Sequence, residues 1–493
     1  MSELILVIDE GTTSTRAIAF DRKMNAMGTS QKEIPLTFPK DGWVEQDPEL
    51  IWTRTLQVCR DVIHQCGGVE KFAAIGIANQ RETTLVWDRN TGETYGNAII
   101  WQDRRTAPVC QQMVSDGKEN EIQALSGLLL DPYFSATKIG WSLNNNPEAR
   151  KAAESGVAAF GTVDCFLLAR LTSGKEHATD VTNASRTLLM DLSASSWSQR
   201  LAGLFDIPWS LLPDICPSGG EFGQTDRRLF GKSLPVLSMV GDQQAALVGQ
   251  ACIHPGEAKI TYGTGAFLVA NTGTDLPVSR NRLLATSAFQ AQGRTNWALE
   301  GSIFNAGTVV KWLRDELGLI AEAADTEKMA SELPDNGGVY FVPAFTGLGA
   351  PHWDADARGQ ISGLSRGTRA AHIVRAGLEA LAYQTRDLLN AFEKDGCHVD
   401  VLRVDGGMAS NDWLMQFIAD IIDRPVERPA YPEMTAIGAA VLAAGELGWM
   451  TLEDWHASRQ ITGHFEPKMP ASQRDALIDG WNAALRATIR KPG

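Results

Sequence analysis

The sequence predicts an α/β protein of two domains. Its 493 residues are too many for a single hydrophobic core, so two domains are expected, over residues 1–250 and 251–493. Continuous apolar segments repeatedly end in clusters of polar residues, which is how strands of open α/β sheets deliver ligand-binding groups to one edge. A strand, a Gly/Thr turn and a second strand occur twice, about half a chain apart.

The first of these segments covers residues 6–20. Apolar residues 6–8 lead to Asp9, then to Gly11 and a run of four hydroxyl side chains at residues 12–15, and residues 17–20 are again apolar. This pattern predicts a hairpin whose glycine lets a bulky anion approach the backbone, with amides and hydroxyls around phosphate oxygens. Asp9 could hold a hard cation. An ordinary hairpin with a Thr-rich turn stays open as the alternative.

The elements that follow deliver two further polar clusters. A helix is predicted over residues 48–64, and strands over residues 72–78, 85–88 and 98–101. The strand at 72–78 ends at Asn79, Gln80, Arg81 and Glu82, and the strand at 98–101 ends in a second charged cluster. Further along, an apolar strand at 236–240 runs into Gly241 and Asp242 at the start of a helix.

The second half repeats the opening pattern. Residues 257–269 predict a strand, a turn at Gly263, Thr264 and Gly265, and a second strand, so an internal duplication is the natural interpretation, with chance as the alternative. A helix ends near residue 317, and a long helix begins near Ala370. The strand at 401–404 stops at a Gly-Gly turn before another helix, which suits a base or phosphate approaching backbone amides.

Composition excludes several classes of function. The formal net charge is −14 and no Lys/Arg cluster occurs, so nucleic acid is not an expected partner. The N-terminus has no basic region, and the apolar segment at 436–444 is too short to span a bilayer, so neither a signal peptide nor membrane insertion is expected. The seven cysteines are dispersed, which indicates reduced thiols in the cytoplasm, and no zinc site is expected.

Many motifs, in this order, resemble the FGGY carbohydrate kinases. They lie at residues 9–14, 42–48, 79–83, 131–138, 182–187 and 241–246 in the first half, and at 261–265, 343–351 and 404–407 in the second. The resemblance covers nearly the whole chain. It implies two actin-like (ribonuclease H-like) domains with ATP in the cleft between them, and phosphorylation of a small polyol, glycerol above all.

The resemblance also implies the residues that bind the polyol. They are Arg81, Glu82, Tyr133, Asp242 and Gln243, with Trp101 and Phe267 packed on its carbons. A triol needs a carboxylate acceptor, a forked donor and an amide that does both, and this set supplies them. Asp242 is expected to act as the general base for the attacking hydroxyl.

For the nucleotide, the resemblance implies contacts in both halves. The phosphate contacts are Thr12, Thr13, Ser14, Arg16 and Thr264, and the ribose and adenine contacts are Gly307, Lys311, Gly407, Met408 and Asn411. Asp9 matches the carboxylate associated with Mg²⁺.

The chain departs from the family pattern at a few positions. Glu10 replaces the usual Gln, which we expect to add a negative charge beside the phosphates and weaken nucleotide binding. Lys311 stands where a Gln is usual, so its contact is in doubt. Ser142 and Gly377 break the strict family signatures at helix positions, where packing is the expected consequence. Residues 225–234 show no Gly-rich loop of the kind that binds fructose 1,6-bisphosphate in some relatives.

Two other functions remain open on the sequence alone. One is a kinase for another small polyol or keto-sugar, such as erythritol, dihydroxyacetone or xylulose. The other is a non-catalytic nucleotide switch of the actin or chaperone-ATPase kind, which shares the fold. The polar cluster at residues 79–82 argues against a switch, which needs no polyol pocket. The sequence leaves the oligomeric state open, a homo-oligomer being one alternative.

Overall fold

A computed structural model describes residues 3–354 and 356–489. Its strands are β1 (Leu4–Glu10), β2 (Ser14–Phe20), β3 (Ala26–Glu33), β4 (Glu45–Gln46), β5 (Phe72–Asn79), β6 (Leu85–Asp88), β7 (Ala98–Ile99), β8 (Ala158–Gly161), β9 (Ala178–Asp180), β10 (Met190–Asp191), β11 (Ser196–Trp197), β12 (Asp214–Cys216), β13 (Gly219–Gln224), β14 (Pro235–Gly241), β15 (Ala258–Tyr262), β16 (Ala266–Gly273), β17 (Leu284–Ala291), β18 (Arg294–Ile303), β19 (Tyr340–Val342), β20 (Gln360–Ser362), β21 (Leu402–Asp405), β22 (Val426–Pro429) and β23 (Ile461–Phe465).

The helices are α1 (Pro48–Gln65), α2 (Ala107–Ser115), α3 (Glu119–Ser126), α4 (Ser135–Asn145), α5 (Pro147–Glu154), α6 (Val163–Leu171), α7 (Val181–Ala184), α8 (Gln199–Leu204), α9 (Arg227–Phe230), α10 (Asp242–Gly249), α11 (Gly307–Asp315), α12 (Asp325–Ser331), α13 (Ala370–Lys394), α14 (Asp412–Ile422), α15 (Met434–Glu446), α16 (Leu452–Ser458) and α17 (Ala471–Thr488), with short 3₁₀ turns at Val69–Lys71, Trp209–Leu211 and Gly407–Ser410. Both predicted hairpins and the helices beginning at Pro48 and Ala370 are confirmed. The strand predicted at 98–101 is shorter, ending at Ile99.

The first sheet has six strands in the order β13–β14–β5–β1–β2–β3. Strands β1, β5 and β14 are parallel, and β2, β3 and β13 run antiparallel to their neighbours. In this register Asp9 lies opposite Ala78, which in turn lies opposite Val240. The polar clusters that follow β1, β5 and β14 therefore meet at one edge of the sheet.

The second sheet repeats this arrangement. Its order is β17–β18–β16–β15–β21–β22–β23, with β15, β21 and β22 parallel and the flanking strands antiparallel. Read from β23 to β18, it has the order and directions of the first sheet from β13 to β3, and β17 is an added edge strand. This repetition agrees with the predicted internal duplication.

Two equivalent helices join the sheets. Helix α10 follows β14 and packs against β15 and β16 of the second sheet, whereas α15 follows the equivalent strand β22 and packs against β1, β5 and β14 of the first. The two helices cross where Gly249 faces the Met434 carbonyl and Gly438 faces the Ala245 carbonyl, so closely that a Cβ at either glycine would overlap the facing backbone. Each half thus contributes a helix to the core of the other.

Alternation along β1 places its side chains in two different cores. Leu6 and Ile8 lie under α1 and α6, and Ile5 and Val7 lie under α15. The central strands are therefore covered on both faces, as parallel strands usually are. In the described residues no helix is long and apolar enough to cross a membrane.

Candidate active site at the junction of the two halves

The carboxyl edge of the first sheet carries Asp9, the segment from Asn79 to Glu82, and Asp242. Because neighbouring strands lie about 4.8 Å apart, the ends of β1 and β14 are separated by on the order of 10 Å across β5. Asp242 is the first residue of α10, so its carboxylate also lies at a helix N-terminus, where negative charge is stabilised. Its side chain is 32% exposed, which leaves it open to a ligand.

Arg81 connects Asp242 to the second half. Its Nε lies 3.3 Å from Asp242 Oδ1, while Nη1 and Nη2 donate to the two carboxylate oxygens of Glu300 on β18 at 2.5 and 3.1 Å. Nη1 also donates to Gln244 Oε1. The forked end of Arg81 is thus occupied by Glu300, and its Nε edge faces the proposed base.

Glu82 and Arg186 complete a buried charge network. Arg186 Nε donates to Glu82 Oε1 at 2.6 Å, and Arg186 Nη2 donates to Glu300 Oε1 at 2.9 Å. Burial by itself would raise the pKa of Glu300, but the Arg186 and Arg81 charges overcome this and hold the pKa at about 2. Two arginines and two carboxylates therefore tie the end of β5 to β18 of the other half.

Glu82 adopts a left-handed backbone conformation with φ = 60°. Such a conformation is uncommon for a non-glycine residue and costs free energy unless its surroundings impose it. Here the Glu82 carbonyl accepts hydrogen bonds from Thr84 Oγ1, Ser135 Oγ and Lys138 Nζ. These bonds hold the turn and aim the Glu82 carboxylate at Arg186.

The side chain of Lys259 on β15 reaches the same junction from the second sheet. Its Nζ donates to Gln243 Oε1 at 2.5 Å and to Thr261 Oγ1 at 2.8 Å. Gln243 in turn donates to Asp242 from its backbone N at 2.7 Å and from Nε2 at 3.3 Å. Both ends of the Gln243 amide have protein partners, and each retains one further bonding site for a ligand.

The charges around Asp242 alter its acidity. Desolvation by the surrounding protein raises the pKa of Asp242, although solvent reaches one third of the side chain, and the Arg81 charge opposes the increase. A raised pKa makes the carboxylate a better proton acceptor than an exposed aspartate. Desolvation lowers the pKa of Lys259 and does so against the charges of Asp405 and Asp242.

Three aromatic rings form a wall beside these groups. The ring of Trp101 lies 5.6 Å from that of Tyr133 and 6.2 Å from that of Phe267, both edge to face. Trp101 Nε1 also donates to Thr12 Oγ1 at 2.9 Å. Trp101 therefore contacts the turn of the first hairpin and Phe267, two residues after the turn of the second, which brings the two predicted phosphate-binding turns close together.

The first hairpin turn is held from behind by two glutamines. Gln46 Nε2 donates to the Thr12 carbonyl at 2.5 Å, and Gln80 Nε2 donates to the Gly11 carbonyl at 3.3 Å and to Gln46 Oε1 at 3.0 Å. These hydrogen bonds fix the positions of the Gly11 and Thr12 carbonyls. Thr13 is exposed, and Thr12 and Ser14 are half-buried, Ser14 Oγ accepting from Gln31.

Asp9 and Arg16 face each other across the hairpin. Arg16 Nη2 lies 2.6 Å from Asp9 Oδ2, and Arg16 Nη1 pairs with Glu433, which precedes α15. The chain supplies a hard oxygen ligand at this edge in the Asp9 carboxylate, which is the donor chemistry that Mg²⁺ prefers. The residues present therefore fit a hydrated magnesium ion.

The expectation that Glu10 adds charge beside the phosphates is wrong. Strand alternation turns Glu10 away from Asp9, beneath α1, where it is fully buried and accepts a hydrogen bond from Thr55 Oγ1 at 3.1 Å. Desolvation raises the pKa of Glu10 to about 8, against the opposing hydrogen bonds of Thr15 and Thr55. The carboxyl is therefore largely neutral near pH 7 and does not repel a nucleotide.

The second hairpin turn packs against two other predicted nucleotide residues. The amide of Gly307 donates to the Gly263 carbonyl, and a Cβ at Gly307 would lie 2.6 Å from that carbonyl. Gly406, with φ = 88°, packs on the carbonyl of Tyr262. These glycines allow the turn, the start of α11 and the end of β21 to approach closely, while Thr264 itself stays exposed.

The remaining predicted nucleotide residues lie after β21 and on α11. Gly407 is exposed and Met408 is half-buried in the 3₁₀ turn after β21. Asn411 caps α14 by accepting from the Leu414 amide at 2.8 Å. Lys311 lies exposed on α11. The exposed hydroxyls, glycine amides and turn backbone fit a nucleoside triphosphate.

Five residues of the junction were not found from the sequence: Lys138, Arg186, Gln244, Lys259 and Glu300. A signal existed for two of them, since Lys259 is the one charged residue of β15 and Glu300 directly follows the apolar residues 297–299 of β18. Such residues are almost never fully buried unless they are paired. Arg186 lies within the motif at residues 182–187, but no function of this arginine could be inferred from the sequence.

Comparisons with known proteins agree with this geometry. The N-terminal domain model of the FGGY family of carbohydrate kinases matches residues 4–249, and the C-terminal domain model matches residues 258–446. Glycerol kinase of Rhodospirillum centenum is 54% identical over 490 residues, covering 98% of each chain. Glycerol kinase 1 of Pseudomonas aeruginosa is 51% identical and covers 99% of each chain.

Solved structures resemble the chain over its whole length. A crystal structure of Plasmodium falciparum glycerol kinase with ADP matches with a TM-score of 0.93 and 36% identity, covering 99% of each chain. A ligand-bound xylulose kinase from Lactobacillus acidophilus matches with a TM-score of 0.88 at 23% identity over 98% of each chain, which bears on the fold alone. The predicted α/β fold of two actin-like domains is confirmed.

Proposed function

The chain belongs to the FGGY family of carbohydrate kinases, and we propose that it transfers the γ-phosphoryl group of ATP to glycerol, forming sn-glycerol 3-phosphate. The observation that carries this proposal is the position of Asp242. It is a carboxylate about one third exposed, held by Arg81 and Gln243 beside an aromatic wall that is built from both halves. Relatives about 50% identical over the full chain are glycerol kinases.

Asp242 is proposed to accept the proton of the attacking hydroxyl. A positioned general base contributes about 10²–10⁴-fold to the rate, and its raised pKa favours proton acceptance. In-line attack by a terminal hydroxyl on the γ-phosphorus then displaces ADP. Closure of the two domains around the reactants would exclude water and suppress ATP hydrolysis.

The polyol is proposed to lie between the aromatic wall and the charge network. The rings of Trp101, Tyr133 and Phe267 suit the apolar carbon face of a triol. The hydroxyls would meet Glu82 and the Nε edge of Arg81, both of which the network holds in fixed orientation. A preorganised set of this kind loses little free energy in ordering when the substrate binds.

ATP is proposed to bridge the two hairpin turns. Thr12, Thr13, Ser14 and Arg16 would contact the phosphates from the first half and Thr264 from the second, and Gly307, Gly407, Met408 and Asn411 would line the ribose and adenine. Mg²⁺ held near Asp9 would neutralise charge on the phosphates when bound.

A coupled assay of ADP formation tests the function directly. ADP release should depend on glycerol, and glycerol should be preferred over erythritol, xylulose and dihydroxyacetone. The Asp242→Asn variant should lose at least a hundredfold in glycerol-dependent ADP release while calorimetry shows that it still binds ATP. Asp206→Asn serves as the matched control, because Asp206 is exposed and its left-handed backbone suits Asn.

Two results would overturn the proposal. Full turnover by the Asp242→Asn variant would remove Asp242 as the base, and equal rates with the other polyols would remove the glycerol assignment. We further propose a cytoplasmic location, which the seven free cysteines support. Association into a homo-oligomer stays a prediction that sedimentation velocity can check.

A further inference from the structure

We propose that Lys259, in the second half, is a positioning residue that orients the Gln243 amide and thereby fixes the carboxylate of Asp242 for proton acceptance. The inference rests on the proposed function, because it assigns Lys259 a part in the same phosphoryl transfer. It adds a residue that the family motifs, as recognised in the sequence, do not assign to substrate or nucleotide.

The placement of Lys259 is unusual for a lysine. It occupies the second position of β15, opposite Val269 on β16 and Arg403 on β21, and no part of it is exposed. Lysines are almost never fully buried unless their ammonium is paired. Here the ammonium points out of the second sheet toward α10, which belongs to the first half by sequence.

The 2.5 Å hydrogen bond from Lys259 Nζ to Gln243 Oε1 determines the orientation of the Gln243 side-chain amide. A glutamine amide carries an acceptor at one end and a donor at the other, so a cation at one end fixes the identity of both. With Oε1 turned to Lys259, Nε2 faces Asp242 Oδ2 at 3.3 Å and donates to it. In the opposite orientation the amide oxygen would face the carboxylate and repel it.

Asp242 is consequently held at both carboxylate oxygens. Oδ1 accepts from the Gln243 backbone N at 2.7 Å and lies 3.3 Å from Arg81 Nε, and Oδ2 accepts from Gln243 Nε2. Two cations thus act on the carboxylate, Arg81 directly and Lys259 through the amide. Since a base must be held within a fraction of an ångström of its productive position, loss of the Lys259 hydrogen bond should impair turnover more than ATP binding.

A double-mutant cycle distinguishes this role from a general structural one. Lys259→Met keeps most of the length of the side chain and removes the charge, and Gln243→Met removes the amide. We expect Lys259→Met to lower kcat for glycerol at least thirtyfold while the KM for ATP changes less than threefold. In the Gln243→Met background, the same lysine substitution should lower kcat by less than a further threefold.

Additive effects, with the lysine substitution costing as much in the Gln243→Met background as in the native one, would overturn the proposal. If Lys259→Met does not fold, Lys259→Leu, which also removes the hydrogen bond to Gln243, replaces it in the cycle and must show the same non-additivity. Failure of the proposed function is separate, because the native chain itself would then show no glycerol-dependent ADP formation.

Discussion

The two hairpins occupy equivalent positions in their sheets but present different side chains. The last residue pair of the first is Glu10 with Thr15, and that of the second is Tyr262 with Ala266. One residue before Glu10 and Tyr262, Asp9 of the first hairpin is therefore equivalent to Thr261 of the second. The same backbone therefore carries two different sets of chemical groups.

At the residue pair just before the last pair of each hairpin, on the face toward the junction, the first hairpin is charged and the second is not. Asp9 is paired with Arg16 across the first hairpin, whereas Thr261 lies opposite Phe267 across the second. The charged end suits a cation and phosphates, and the uncharged end contributes a ring to the aromatic wall. The repeated backbone therefore brings equivalent positions of the two halves to the junction, and the side chains at those positions give each half a different chemical role.

On the opposite face both hairpins bury a polar residue against a helix threonine. Glu10 accepts from Thr55 on α1, and the hydroxyl of Tyr262 shares a 2.7 Å hydrogen bond with Thr385 on α13. The geometry is the same in both halves, but Glu10 can ionise near neutral pH and Tyr262 cannot. This contrast can be tested by substitution.

The largest effect is expected from Asp9→Asn, which removes the carboxylate of the first hairpin that has no counterpart at the equivalent Thr261 of the second. If Asp9 holds Mg²⁺ near the phosphates, kcat should fall on the order of 10²–10³-fold, as when other groups that stabilise transition-state charge are removed. Steady-state rates at several magnesium concentrations measure this. The exposed Asp41→Asn serves as the control, and an unchanged magnesium dependence would contradict the assignment.

The next largest effect is expected in the pH dependence of the free energy of unfolding, to which Glu10 contributes. Its folded pKa of about 8 lies above the ordinary 4.5, so between these values the folded protein keeps a proton that the unfolded chain releases. The free energy of unfolding should then fall as pH rises through this window, by up to about 1.4 kcal/mol per unit from this group. Below pH 4.5 the contribution is fully present.

Glu10→Gln should remove that slope, since an amide does not ionise. Urea unfolding of the metal-free protein at pH 5.5, 6.5 and 7.5 measures it, with the exposed Glu33→Gln as the matched control in the same sheet. The variant should gain stability relative to the native chain as pH rises. Identical slopes for the native chain and the variant would show that Glu10 is charged in the folded state.

The smallest effect is expected from Tyr262→Phe in the second hairpin. Loss of the buried hydrogen bond to Thr385 should cost about 1 kcal/mol without any change in pH dependence. Unfolding at pH 5.5 and 7.5 measures both quantities. Adding Thr385→Val removes the unpaired partner and should recover part of the loss, and a loss that grows with pH would contradict the contrast with Glu10.

Much of the fold could be predicted from local pattern. The hairpins at residues 4–20 and 258–273 follow from apolar runs broken at a Gly/Thr turn. The helix from Pro48 follows from the N-cap Asp47, whose side chain accepts from the Glu49 amide. The exchange of α10 and α15 between the sheets could not be predicted, because small residues such as Gly249 and Gly438 do not indicate which helix they will meet.

The candidate site was predicted in part. Arg81, Asp242 and the ring of Trp101 were expected at the site and do come together at the junction. The error at Glu10 was avoidable, since alternation after Asp9 already places it on the other face. The partners Glu300 and Arg186 could not be assigned, because they lie more than one hundred residues from Glu82 and Arg81 in sequence.

The sequence by itself determined the elements, their order, the two turns and the identity of the carboxylate proposed as base, because these depend on local propensity and on motifs. Only the tertiary structure decided that Asp9 and Glu10 face opposite environments, that Lys259 reaches Gln243, and that Arg81 is clamped by Glu300. The reason is physical. A charge in the interior is stable only with a partner, and the fold alone selects which distant residue becomes that partner.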